Sequence, residues 1–184
     1  MALLPSGSPS LYRELIHVPF GRVFGTRQDY GQSVSVIGIC VSPSSLPGKT
    51  TASVVVASGT AAAPLLEDSF EVKTSASEDG DKVVDIARAV SSKLSSVGFT
   101  DVVIRTADFF RGRGAALGTL GAQCEGAIIL ALREKVDSSV KLRRGRDIGV
   151  VLGCTKAEAE SSGAGLAPAH PKAGAAALSA LPSS

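Results

Sequence analysis

From Val34 to Cys40 the chain places β-branched and small residues one after another, and after the turn-rich "SPSSLPGK" a second such run, "TTASVVVASG", follows. Runs of this composition, bounded by Ser, Pro and Gly, predict two strands joined as a hairpin. A third strand is predicted at "DSFEVKT", beyond the alanine-rich "GTAAAPLL", which completes an antiparallel meander. The period then changes. Val83, Val84, Ala87, Val90, Leu94 and Val97 recur at helical spacing, with Asp79 or Asp81 as the expected cap and Gly98 as the stop. "TDVVIRTADFF" reads as a strand parallel to the first, and "AALGTLGAQCEGAIILALREK", from Ala115 to Lys135, as a second helix whose small residues permit close packing on a sheet. The predicted order is β-β-β-α-β-α, an α/β architecture with a mixed sheet flanked by helices. Residues 1–32 mix Pro, Gly and Arg without a period and read as an irregular segment, and 33–160 carry the domain. The Ala/Ser/Gly/Pro-rich stretch 161–184 reads as a low-complexity tail, expected to be disordered apart from a short helix over "AGAAALSAL".

Composition narrows the class without naming a partner. A chain of 184 residues suits one domain with its own core. With 19 Lys and Arg against 17 Asp and Glu there is no whole-protein field, so any basic patch is local. Cys40, Cys124 and Cys154 are odd in number, widely spaced and outside any CxxC pair, which fits reduced thiols of a cytoplasmic protein better than a disulfide framework or a zinc site. The longest apolar run, "GAIILAL", falls short of the roughly 18 residues of a spanning helix, and no membrane partner is expected. The N-terminus carries Glu14 among its arginines and lacks the apolar stretch of a secretory signal, leaving a cleaved organelle peptide as the alternative to a cytoplasmic location.

Two stretches carry a family likeness. "IGIC", followed by a small-residue turn and a second strand, resembles the opening strand of the RuvC-type Holliday-junction resolvases. "TDVVIRTADFFRGRGAALGTLGAQCEGAIILAL" is similar to that family's strand, Phe-bearing turn and glutamine/glycine helix. Phe109 or Phe110, Gln123, Gly126 and Ala127 stand in the matching places, with one residue more between Leu120 and Gly126 than the pattern has. "LGCTKAEAE", with Lys156, resembles the family's glycine-then-lysine stretch before a helix. The resemblance spans Val34 to Glu160 and implies a ribonuclease-H-like fold of the RuvC branch.

It also implies a chemistry that these residues do not supply. In that family two Mg²⁺ ions clamp a phosphodiester, held by carboxylates on the first strand, at the end of the fourth strand, and in a pair on the last helix. At the matching places stand Cys40, Arg105, Ala173 and Ala176, none of them acidic. A thiol is a poor ligand for a hard cation, and an arginine repels one. The resemblance therefore implies a catalytically degenerate site with no catalytic residue, no metal and no cofactor, and leans against an enzyme. Relocated ligands would have to come from Asp108, Glu125 and Asp147. Asp101 shares a strand face with Arg105 but lies at the other end of a short strand.

Other chemistry is thinly provided. Cys40 as a nucleophile needs a base, and the chain has only His17 and His170. "GRGAALG" sets Arg111 and Arg113 beside glycines at a helix start, where a backbone phosphate is a better guest than a nucleotide because the Lys-Ser/Thr of a P-loop is missing. "REKVDSSVKLRRGR" is the densest positive segment; its Lys141, Arg143, Arg144 and Arg146, with Arg111 and Arg113, are the candidate nucleic-acid contacts. Tyr30, Phe109 and Phe110 are the only aromatics near enough for base stacking. The expected function is a pseudo-nuclease domain that associates with DNA or RNA, or serves as a scaffold, in recombination or repair, as a homodimer or within a larger assembly. The alternatives are a divergent Mg²⁺-dependent structure-selective endonuclease using the relocated acids, and a protein-interaction module whose Arg105 and basic run dock an acidic partner.

Overall fold

The computed structural model describes residues 35–107, 115–133 and 139–183. The irregular segment expected over 1–32 lies outside them, as do Asp108, Phe109, Phe110, Arg111 and Arg113. Strands β1 (Val36–Ser42), β2 (Thr51–Thr60) and β3 (Ala63–Lys73) form the expected meander. Helix α1 (Asp79–Lys93) and a 3₁₀ turn (Leu94–Ser96) lead to β4 (Asp101–Thr106), and α2 (Ala115–Arg133) leads to β5 (Ser139–Arg144). Three further helices close the chain: α3 (Gly145–Val151), α4 (Lys156–Leu166) and α5 (Pro171–Leu178).

The sheet order is β3-β2-β1-β4-β5. β1 and β2, and β2 and β3, run antiparallel, whereas β4 lies parallel to β1 and β5 parallel to β4. The strand alternation sorts the core into two layers. Ile37, Ile39, Val41, Val54, Val56, Val102 and Ile104 face α1 and α2, where Ile86, Val90, Leu120, Cys124, Ile128 and Leu132 cover them. Val36, Cys40, Val55 and Ala57 face the other way, onto Ala173, Ala177 and Leu178 of α5. Val103 meets Ile148 of α3, Ala159 of α4, and Ala175 and Ala176 of α5 on that same side. Among the described residues α2 is long and apolar enough to cross a membrane, and here one side of it lies on the sheet.

Several elements differ from the expectation. The stretch from Ser161 is not a disordered tail: a domain boundary at 160 falls within α4, and α5 is a layer of the core. Its alanines are what make this work. An added Cβ on Gly38 would lie 2.1 Å from the Ala173 carbonyl oxygen and 2.3 Å from the Ala177 nitrogen, so α5 rests backbone to backbone on β1. Gly163 and Gly174 bring α4 equally close to α5. The basic run is not a free face either, because Ser139–Arg144 form the edge strand β5. β3 starts at Ala63, earlier than the polar signal suggested, since Gly59 takes φ +86° and lets the hairpin turn tightly against the Ala63 carbonyl. Glu78, not Asp79 or Asp81, is the cap residue of α1, and both aspartates sit in its first turn, where the helix dipole favours them.

The loop after β1 is fastened down. Ser44 N–H donates to Thr50 Oγ1 and the Thr50 hydroxyl donates to the Ser44 carbonyl, each at 2.9 Å. Lys82, buried in α1, donates to the same carbonyl at 3.4 Å and to Asp79 at 2.8 Å. That loop forms one wall of the site.

Candidate functional site

Parallel pairing places Cys40 directly beside Arg105 at the carboxyl ends of β1 and β4. The ends of parallel strands are where open α/β sheets leave a crevice for ligands. Here the crevice is a cavity of about 450 Å³ walled by Cys40, Ser42, Pro43, Arg105, Lys156, Glu160 and Lys172, among others. Of the positions singled out in the sequence, Cys40 and Arg105 meet at its floor. Ala173 lies in the same buried cluster as Cys40, and Ala176 packs against Val103.

Arg105 dominates the chemistry. Its side chain is 4% exposed, its Nη2 donates to Glu160 Oε1 at 2.7 Å, and its Nη1 lies 3.9 Å from Cys40 Sγ. A buried guanidinium needs such partners, because an uncompensated charge in the interior costs several kcal/mol (~3–5). Burial pushes the Cys40 thiol above its ordinary pKa, and the neighbouring Arg105 charge only partly offsets this. Cys40 is therefore a protonated thiol and not an activated nucleophile.

Sequence reasoning did not single out Glu160 or Lys172 and took Lys156 only as a family counterpart. α4 starts at Lys156 because Thr155 and Glu158 form a reciprocal capping box, with Glu158 N–H donating to Thr155 Oγ1 at 3.3 Å and Thr155 N–H to Glu158 Oε2 at 2.8 Å. Those bonds from Thr155 hold the Glu158 carboxyl below its ordinary pKa. One turn on, Glu160 lies on the same side of α4 as Lys156. A Cβ on Gly145 would come within 2.9 Å of Arg105 Nη2 and 3.0 Å of Lys156 Cε, so both side chains cross over this one glycine. α5 brings Lys172. Among the described residues three cations and one carboxylate thus line the cavity.

Among the described residues this donor set does not fit a hard divalent cation, which takes charged or carbonyl oxygens and would meet one carboxylate, already paired with Arg105, among a protonated thiol, a guanidinium and two ammonium groups. Among the described residues no group of three or more His, Cys, Asp or Glu is placed to hold a metal.

Of the acids considered as replacements, Asp108 lies outside the described residues, and Glu125 and Asp147 line a second cavity, of about 370 Å³, with Thr106, Leu142 and Arg144. Glu125 is buried, 6% exposed, and accepts a bond from Ala107 N–H at 3.3 Å. Burial raises its pKa, and the Ala107 bond pulls the other way. Asp147 accepts from Arg144 N–H at 3.2 Å across the start of α3.

The candidate nucleic-acid residues divide. Lys141 is paired with Asp101 at 2.7 Å, and Arg143 donates to the Ser179 carbonyl at 2.6 Å, holding the end of α5. Both side chains thus have partners within the fold, with Lys141 still exposed. Arg144 and Arg146 are exposed, with Arg144 at the mouth of the second cavity.

No family model matches the chain, and no curated protein does. Solved structures do. Thermus thermophilus RuvC aligns with a TM-score of 0.62 at 23% identity, covering 79% of this chain and 92% of the RuvC chain. T. thermophilus RuvC in complex with a Holliday junction substrate aligns with a TM-score of 0.60 at 22% identity, covering 79% of this chain and 91% of that one. The likeness establishes a RuvC-like ribonuclease-H fold.

Proposed function

We propose that this chain, built on a RuvC-like ribonuclease-H fold, is a non-catalytic domain that associates with nucleic acid. One observation carries the reading. At the carboxyl ends of β1 and β4 stands a buried arginine, beside a neutral thiol and paired with Glu160, in a cavity that two lysines also line. Such a site attracts the phosphates of a polynucleotide and repels the metal ions that would cut them. The similar T. thermophilus RuvC has been captured with a Holliday junction substrate, which supports branched or duplex nucleic acid as the first ligand to test.

The test is incubation with four-way junction, duplex DNA and RNA in Mg²⁺ or Mn²⁺, together with binding at low salt. All substrates stay intact, and binding is detectable and weakened by Arg144→Glu combined with Arg146→Glu. Metal-dependent cutting abolished by Glu125→Gln or Asp147→Asn overturns the proposal in favour of a divergent nuclease, a reading supported by those two acids sharing one cavity. Undetectable binding at low salt favours a protein-interaction module instead.

A further inference from the structure

We propose that the cavity between α2, the ends of β4 and β5, and the start of α3 binds a primary alkylammonium group. Glu125 is the anionic partner of the ammonium, and the apolar wall of α2 and β5 seats the alkyl chain. The site is independent of the nucleic-acid reading, because it takes a cation and not a phosphate.

Glu125 leads to it. α2 carries this carboxyl into the protein, 6% exposed, where the Ala107 N–H at 3.3 Å is its one hydrogen bond among the described residues. Among those residues no ion pair joins it to a cation, although Arg144 lines the same cavity. What offsets its burial is that backbone amide and not a positive charge. A carboxylate taken out of water is stabilised by a paired cation, and one neutral donor replaces little of its lost hydration. Its other oxygen has no partner among the described residues and is not sealed within the fold, so it is open to the cavity. The rest of the wall selects the guest. Gly118, Ala122, Gly126 and Ile129 of α2 and Leu142 of β5 border a space of about 370 Å³, within the usual range of small-ligand pockets, roughly 300–1,000 Å³. The small residues of α2 leave room for an alkyl chain, and Leu142, 53% exposed, gains cover from one. Thr106 and Asp147 add oxygen acceptors to that of Glu125, which suits a group with three donors and no acceptor. A hard divalent ion fits less well, because two carboxylates and an arginine line the cavity and no third acid joins them among the described residues. The same ammonium chemistry is carried by a free alkylamine and by the lysine side chain of a partner protein.

The experiment is an amide NMR titration of the full chain with n-butylammonium chloride, beside tetramethylammonium chloride and MgCl₂ at equal ionic strength. Saturable shifts are expected at Ala107, Gly118 and Gly126, with a Kd of roughly 1 mM, as suits so small a guest. Glu125→Gln keeps the shape and the Ala107 bond while removing the charge, and should weaken binding about tenfold or more. Ala122 is exposed on α2 and lines the cavity, so Ala122→Leu fills the space while keeping every charge and a good helix former. It should weaken binding by a similar factor of about ten. The amide spectrum of each variant reports directly that it is folded. Shifts that do not saturate, that either variant leaves unchanged, or that tetramethylammonium or Mg²⁺ reproduces overturn the site. Two further arms identify the source. If acetyl-Gly-Lys-Gly-amide shifts the same amides, the site is upheld as one for a partner's lysine; if n-butylammonium alone does so, it is upheld as one for a free amine.

Discussion

Replacing Gly38 by alanine tests whether the last helix builds the site. The new methyl carbon would sit 2.1 Å from the Ala173 carbonyl oxygen, 2.3 Å from the Ala177 nitrogen and 2.9 Å from the Ala177 Cα, all backbone atoms that no rotamer change can move. Against a comfortable separation of about 3.5 Å, α5 has to withdraw by roughly 1 Å. It buries Ala173, Ala175, Ala176, Ala177 and Leu178, all at most 6% exposed. At about 0.8 kcal/mol per buried methyl and about 2 for leucine, that face contributes about 5 kcal/mol. A gap of this size forfeits a quarter to a half of the contact energy, about 1–2.5 kcal/mol, and residual backbone strain brings the loss to about 3 kcal/mol. For a domain of this size the melting temperature should fall by about 6–12 °C. Thermal and urea denaturation of Gly38→Ala beside Gly126→Ala measures it. Gly126 lies within α2 with nothing within 4 Å of an added Cβ, so its substitution should be neutral or stabilise by up to about 1 kcal/mol. Because α5 also carries Lys172 into the cavity, Gly38→Ala should weaken anion binding at temperatures where the protein is still folded. A Gly38→Ala protein within about 0.5 kcal/mol of the parent refutes the close docking of α5 on β1.

Other outcomes follow from the same structure. Burial holds the Glu125 pKa above its ordinary 4.5, so the folded state keeps its proton longer than the unfolded state; the stabilisation is full below 4.5 and is lost as the pH rises through the folded value. Glu125→Gln should therefore gain stability relative to the parent as the pH is raised from about 4.5 towards neutrality, and parallel urea midpoints across that range would count against a buried carboxyl. Among the thiols, Cys124 is fully buried with its pKa pushed up to about 11, and Cys40 is buried and protonated, whereas Cys154 is partly exposed. Alkylation mapped by mass spectrometry should label Cys154 first in the native protein; early labelling of Cys40 would restore it as a reactive thiol. Cys40→Asp should pair with Arg105 across the strand register and reduce oligonucleotide affinity about tenfold, with the fold retained. A gain of Mg²⁺-dependent cutting in that variant would instead show that a metal centre is one substitution away. Lys82→Met should loosen the loop after β1, seen as faster amide exchange at Ser44, with a stability loss of about 1–2 kcal/mol.

The elements that sequence pattern reveals are those whose signal is local. β1 and β2 announce themselves through consecutive β-branched residues, and α1 through apolar positions three and four apart. β4 was legible as a strand parallel to β1, and the register then adds what the pattern did not give, that Cys40 lies beside Arg105. The short helix expected over "AGAAALSAL" is α5, but its place in the core was illegible because alanine and glycine in a row carry no amphipathic pattern. Their meaning depends on Gly38, Gly163 and Gly174 offering surfaces close enough for small residues to fill. β5 was hidden by its charges, and their partners Asp101 and Ser179 come from other parts of the chain. Glu160 and Lys172 escaped notice for the same reason, since helices placed by tertiary packing deliver them. Two weak signals pointed their way: Glu160 lies one helical turn beyond Lys156, and Lys172 adjoins Ala173, a position already matched to the family.

The residues at the ends of β1 and β4 form a consistent set, not a collection of losses. An arginine at position 105 with an aspartate at position 40 would be an internal ion pair, its charge spent before any ligand arrived. The same arginine beside an apolar residue would gain nothing from that neighbour to offset burial. Cys40 avoids both conditions, because its polarisable sulfur tolerates the guanidinium at 3.9 Å while burial keeps the thiol neutral. The guanidinium also pairs with Glu160, a carboxylate on the cavity wall that keeps partial access to solvent. Substituting a cation where a metal-binding fold would place acids exchanges a removable charge for a fixed one. On the proposed reading such a fixed charge would draw phosphate to the sheet end without a bound water to activate, which is why binding and cutting have to be assayed separately.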